Sequence, residues 1–353
     1  MNKLTKVGCS ALCGSLAAIS SSNAGTLTAT GNASMTWMSI EGGTGVVGNP
    51  IGMQSAVTFN GSGDLGWDGW DFNLAIADND KGVYSAATIT INMGALGALE
   101  FDGGNSGNGL AAFDNVLPTA WEEAHGAGLS GGVKTPMGAG ASANVMYTTP
   151  KIWGTVIALT HAHDYGTTDT ADKATGVTED DYDDATDITV KINPTMGTEI
   201  LSGLNLYLGA GQVKTFGQST VEEDVYEGTG AVTYSLGPVS LGAQWSGIYT
   251  GQENADDWNY YKSHGFGVAF NVNDDLSVSY GEYQTRKAGY DEGDGRALKI
   301  PEENLRVVEV TSWQAAYTMG GASMRIATVT ADNANFDNTA DVTATVLSLG
   351  LAF

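Results

Sequence analysis

The chain has 353 residues, 49 of them glycine, about twice the usual share, and only 7 proline. Asp and Glu outnumber Lys and Arg by 40 to 15, which argues against nucleic acid and anionic lipid surfaces as partners and fits cations, or simple solvation of the exterior. Beyond the N-terminal segment no apolar run reaches the ~18 residues of a membrane-spanning helix; barrel strands, with their weaker period of two, would escape that test.

The first element is a leader. Lys3 and Lys6 precede the short apolar core VGCSALCGSLAAIS, and Ser22–Ala24 matches a small-x-small cleavage site. Cleavage is expected after Ala24, giving a leader over 1–24 and a mature domain over 25–353. Cys9 and Cys13 leave with the leader, so the mature chain must be held together without disulfides.

Alternation then recurs along the chain. In TLTATGNASMTW, Leu27, Ala29, Ala33, Met35 and Trp37 oppose Thr28, Thr30, Asn32, Ser34 and Thr36. Met53, Val57 and Phe59 repeat the pattern, as do Phe72, Leu74 and Ile76, then Leu204, Leu206 and Leu208, then Leu241, Ala243 and Trp245. Similar segments lie near 83–92, 141–149, 154–164, 226–236, 263–272, 276–287, 306–319, 321–331 and 340–353. One apolar face at period two is the signature of a strand. No helix longer than a couple of turns is expected. The links alternate between tight turns (61–66, 93–97, 236–238, 272–275, 319–321) and long acidic loops (165–186, 217–223, 251–260, 288–305). This is the asymmetry of a membrane barrel, and counting segments predicts an all-β antiparallel transmembrane barrel of about 16 strands.

The polar faces are rich in Ser, Thr, Asn, Gln and Gly, which suits a wet lumen of limited width. The apolar faces often end in aromatics, including Trp37, Trp70, Trp153, Trp245 and Trp313, as interfacial girdles do. A closed barrel must pair its last strand with its first. The final segment VTATVLSLGLAF is therefore expected antiparallel to TLTATGNASMTW, with Phe353 at the periplasmic interface.

The leader, LTATGNASMTW, the insert after FDGGNSGNG, VMYTTPKIWGTVIALTHAHD and the terminal LSLGLAF together resemble the Gram-negative general porins, particularly the alphaproteobacterial type. The resemblance is one of pattern over the whole chain; its sharpest single feature is the terminal Phe353, similar to the signal by which outer-membrane barrels are recognised for assembly. It implies an outer-membrane location among lipid and lipopolysaccharide, usually a homotrimer, and passive diffusion of small hydrophilic solutes and ions. It also implies a third loop, here 102–140, folded inward as a constriction. On that loop Asp102, Asp114, Glu122 and Glu123 are the expected acids and Pro118 a rigid point, and the resemblance sets them opposite basic residues on the wall. Parity offers Lys191, Arg306 and Arg325 for that wall, with Arg286 on the other face unless Gly281–Glu282 forms a bulge. The alternative for each loop acid is a solvated surface charge, and for Arg306 and Arg325 a rim position. With only four arginines in the chain, no dense arginine ladder can be built, which favours cation over anion selectivity.

Other chemistry is thinner. His161 and His163 share one strand face, expected outward, with no third ligand near in sequence. The acidic stretches 179–184 and 291–295 lack the spacing of a dedicated calcium loop, so at most weak Ca²⁺ binding is expected there and no cofactor elsewhere. A barrel hydrolase would need a nucleophile motif that does not accompany the HAHD segment. A non-conducting adhesin or surface protein would need a filled lumen, which a barrel of about 16 strands cannot supply from its own side chains.

Overall fold

Alternation of apolar and small polar residues folds this chain into one closed antiparallel sheet. The computed structural model describes residues 25–42, 49–79, 82–104, 107–166, 182–194, 199–215, 223–251, 259–290, 298–299, 307–337 and 339–352. The strands are β1 (Thr26–Gly42), β2 (Ile51–Asp64), β3 (Trp70–Asn79), β4 (Gly82–Met93), β5 (Ala98–Asp102) and β6 (Asn144–Thr148). Next come β7 (Thr155–Ala162), β8 (Tyr182–Ile192), β9 (Leu204–Thr215), β10 (Val225–Leu236), β11 (Val239–Tyr249) and β12 (Tyr260–Asn271). The last are β13 (Leu276–Tyr290), a two-residue β14 (Leu298–Lys299), β15 (Val307–Met319), β16 (Ala322–Asp332) and β17 (Val342–Ala352). β14 only extends β13 beyond the sheet, so sixteen strands form the barrel wall, as the sequence predicts. One helical turn, Glu199–Ser202, and a few 3-10 turns complete the described elements.

Closure is made by β1 and β17. They pair antiparallel from Asn32 opposite Ala352 to Gly42 opposite Val342, leaving no edge whose backbone groups would face hydrocarbon. The expected terminal pairing is present; Phe353 itself and residues 1–24 lie outside the described residues.

The two faces sort as the alternation predicts. Met35, Trp37, Met53, Phe59, Leu159, Leu208, Trp245, Trp313 and Leu347 are exposed on the outside of the isolated chain. Their opposite neighbours point inward. The register through Gly281–Glu282 is continuous with both adjacent strands, so no bulge re-aims Arg286. It stays exposed on the outer parity, while Tyr283 and Thr285 beside it are buried inside. His161 and His163 are exposed on the outer face, with His161 Nδ1 3.0 Å from Thr186 Oγ1. Among the described residues no group of three or more His, Cys, Asp or Glu could hold a metal ion. Residues 179–181 and 291–295 of the two acidic stretches lie outside them.

Candidate functional site: the loop inside the barrel

β5 and β6 are five residues each, the shortest strands of the wall. Between them runs a loop of residues 103–143, close to the expected 102–140. Its residues Leu110, Leu117, Ala124, Ala127 and Ala139 are buried. Their cover is the inner face of the barrel.

The loop is fixed by lumenal side chains strand after strand. The Asp187 carboxylate on β8 accepts the N–H groups of Leu110 (3.1 Å) and Ala139 (2.9 Å), joining both ends of the loop. Glu227 on β10 accepts the N–H groups of Met137 and Gly138. Gln244 on β11 accepts from Val116 N–H and donates to the carbonyls of Phe113 and Asp114. Ser279 on β13 accepts from Ala120 N–H. Gln314 on β15 accepts from Trp121 and Glu122 N–H and donates to Glu122 C=O. Thr285 and Ser263 hold the N–H and C=O of Lys134. Most of these bonds pair part-buried or buried backbone polar groups that would otherwise lack partners against the wall.

Glycine on the inner wall makes room for this path. A Cβ at Gly242 would lie 2.5 Å from the Pro118 ring, and one at Gly267 would lie 2.9 Å from the Pro118 carbonyl oxygen. The backbone of the loop can approach these strands only because no side chain stands there. Toward the loop's return, Val310, Ala327, Val329 and Ala331 of β15 and β16 form a small buried apolar cluster with Ala127 and Ala334.

The predicted site residues fall in different places. All three on the loop, Glu122 and Glu123 are exposed and Asp114 is half-buried. Burial pushes the Asp114 carboxyl up to about 6; the Asn115 N–H opposes that shift and the Glu123 charge adds to it. Glu122 is raised by burial and by Glu123, against the pull of Arg325. Burial lowers His125, with Glu123 opposing. Asp102 is a departure from the expected constriction set. It ends β5, is 4% exposed, and binds Asn144 Nδ2 at 3.2 Å and Gly104 N–H at 3.0 Å. It therefore secures the root of the loop and does not face open lumen. Lys191 and Arg325 have the predicted lumenal parity. Lys191 sits 5.2 Å from the Tyr207 ring centroid, and Arg325 sits 5.9 Å from that of Trp121. Arg306 lies outside the described residues.

Glu122 feels the charge of Arg325 on β16; the anchors named above occupy β8 to β15, and the wall continues through β1–β7. Those seven strands contain no Lys or Arg. Their inward residues are of the type Thr30, Asn32, Ser34, Gln54 and Thr58, with Glu100 held by Thr90 (2.9 Å) and Asn108 (2.9 Å). The anchors Asp187, Glu227, Gln244 and Gln314 were not singled out from the sequence. Their only signal was a long polar or acidic side chain on the inward parity of a strand whose inward neighbours are small.

Comparison with known proteins gives the class. The model of the Gram-negative porin family matches residues 8–300, and the chain belongs to that family, whose members are outer-membrane barrels. Among solved structures it is similar to Salmonella typhi OmpF in complex with daunomycin, with a TM-score of 0.64 at 10% identity over 93% of this chain and 98% of that one. It is also similar to the anion-selective porin of Comamonas acidovorans, with a TM-score of 0.61 at 14% identity over 93% and 100%. The trimer form of Vibrio cholerae OmpT gives 0.61 at 14% over 93% and 99%. At such identities the likeness is one of fold. None of the curated protein sequences compared with the chain matches it.

Proposed function

We propose that this porin is a passive, water-filled channel for small hydrophilic solutes with a preference for cations, working as a homotrimer among outer-membrane lipid and lipopolysaccharide. It carries out no chemical step. The trimer is supported by the likeness to a trimeric porin. The sign of selectivity does not follow from fold, since an anion-selective porin shares it; it follows from side chains. The observation that carries the reading is a run of seven wall strands, β1–β7, without Lys or Arg, in a barrel whose inner loop carries Asp114, Glu122 and Glu123. Fixed negative charge on the loop, with no Lys or Arg on seven of the sixteen wall strands, concentrates cations in a narrow wet passage.

The test is the reversal potential of the purified mature protein in a planar bilayer under a salt gradient. A cation-selective potential is expected, and Glu122→Gln with Glu123→Gln should move it toward zero. An anion-selective potential in the wild type would overturn the assignment of sign.

A further inference from the structure

The link from β16 to β17 also turns into the barrel. Ala334, in its 3-10 turn Ala334–Phe336, is buried in the apolar cluster of the inner wall with Val310 and Val329. The Asn335 N–H donates to the Gly131 carbonyl of the third loop at 2.7 Å, and a Cβ at Gly132 would lie 3.0 Å from the Asn335 Cα. The turn uses left-handed backbone at Asn333, Asn335 and Phe336, with φ of 53°, 56° and 62°. Asparagine tolerates that region; a Phe there is an outlier, held at a cost that its surroundings must offset.

What this backbone delivers is the Phe336 ring. Its centroid lies 6.0 Å from that of Tyr261 on β12, with the planes at 46°. The Nζ of Lys287 on β13 is 4.6 Å from the Phe336 centroid, and the Nζ of Lys134 on the third loop is 5.7 Å from the Tyr261 centroid. Tyr261 and Lys287 have lumenal parity on their strands, and Ser263 and Thr285 pin the Lys134 backbone to the same wall. Lys134, Tyr261, Phe336 and Lys287 thus form one chain of contacts, ammonium to ring to ring to ammonium, drawn from four separate segments. It lies at the end of the barrel where the long links are. Lys134 is exposed and the other three are half-buried, so the patch keeps open surface. Asp337, next to Phe336 in the chain, accepts from the N–H and hydroxyl of Thr339.

An ammonium over a ring near the surface is weakly held, and the flexible lysine stem can carry it to a stronger acceptor. A carboxylate is such an acceptor, through a charge-assisted hydrogen bond. Two tilted rings offer faces and edges to a third flat ring. A small solute with both features meets both parts of the patch at once. We infer that this patch is a binding site for small aromatic carboxylates at the mouth of the barrel. The inference goes beyond the channel reading and does not depend on it. In a channel whose loop acids favour cations, such an anion is retained at the mouth and obstructs current.

Benzoate is the probe. Benzamide keeps the ring without the charge, and cyclohexanecarboxylate keeps the charge without the flat ring. Binding is read twice: as block of single-channel current, and by calorimetry on the detergent-solubilised protein. The wild type should bind benzoate about tenfold more tightly than either control, the scale of one charge-assisted bond or one ring contact. Lys134→Gln and Lys287→Gln should each weaken benzoate about tenfold and leave benzamide unmoved. Phe336→Gly removes the ring while suiting the left-handed backbone, so it keeps the test open should a lysine variant fail to assemble. It should bring benzoate down to the level of cyclohexanecarboxylate. Equal affinity for benzoate in wild type and variants would overturn the site, as would no binding by either method. Benzoate bound by the wild type no better than cyclohexanecarboxylate would overturn the assignment to aromatic solutes. A folded protein that does not conduct would sink the channel reading instead, and calorimetry alone would then decide the site.

Discussion

Asp114 is the loop acid whose charge depends most on conditions. It is half-buried beside the Asn115 N–H and near Glu123, and its carboxyl is raised to about 6. Above that value it adds negative charge to the passage; below it the group is neutral. Glu122 is raised in the same direction, so acidification removes charge from the same face. His125, lowered by burial, does not become cationic near neutrality and so leaves the acids uncompensated there. The cation preference should therefore fall as pH drops from about 8 to about 5, with its steepest change near 6. Asp114→Asn should show the weaker preference already at the higher pH and a flatter profile. Reversal potentials taken across that range check both expectations, and a profile identical in wild type and variant would remove Asp114 from the conduction path.

The third loop is an element held by side chains of other elements. Gln244 and Gln314 each make three hydrogen bonds to its backbone. Truncating one leaves part-buried backbone groups without these partners, at no more than about 1–3 kcal/mol for each group. Gln244→Ala with Gln314→Ala should release the middle of the loop, raising single-channel conductance and current noise while leaving the barrel's resistance to heat little changed. Gly242→Val should act similarly by sterics, because its Cβ would meet the Pro118 ring. Noise and conductance no different from wild type would mean that the loop is held by other contacts. These anchors also mark where sequence reading stops. The loop's position in the chain was legible as the longest segment without alternation. Its path along the wall was not, because it depends on which inward residues of seven later strands meet it in space. A buried Asp187 in DITVK and a small Gly267 in HGFGV look like ordinary inward positions until the loop lies on them.

At the scale of the whole molecule, period two carries both stability and function. It was legible from the sequence because lipid outside and water inside impose opposite demands on successive residues. The strand count, the closing pair and the outward place of His161 and Arg286 all follow from it. Lumenal parity assigned Lys191 and Arg325 correctly too, yet it could not tell Asp102, buried at the root, from Glu122, open to the lumen, since both are acids of one loop. A pair of arginines separates the two demands. Leu347 faces outward, flanked by Trp37 and Ile326 across the strands, and Thr30 faces inward on β1, opposite Thr58. Leu347→Arg sets a charge against hydrocarbon and should cost about 2–4 kcal/mol of folding stability in lipid, seen as a lower denaturant midpoint with selectivity unchanged. Thr30→Arg sets the same charge in water and should cost far less. It also places a cation on a wall that has none, so the reversal potential should shift toward anions. If both variants lost stability equally, the assignment of inner and outer faces would be wrong. If Thr30→Arg left the potential unmoved, the empty positive side of the wall would not be what sets the sign.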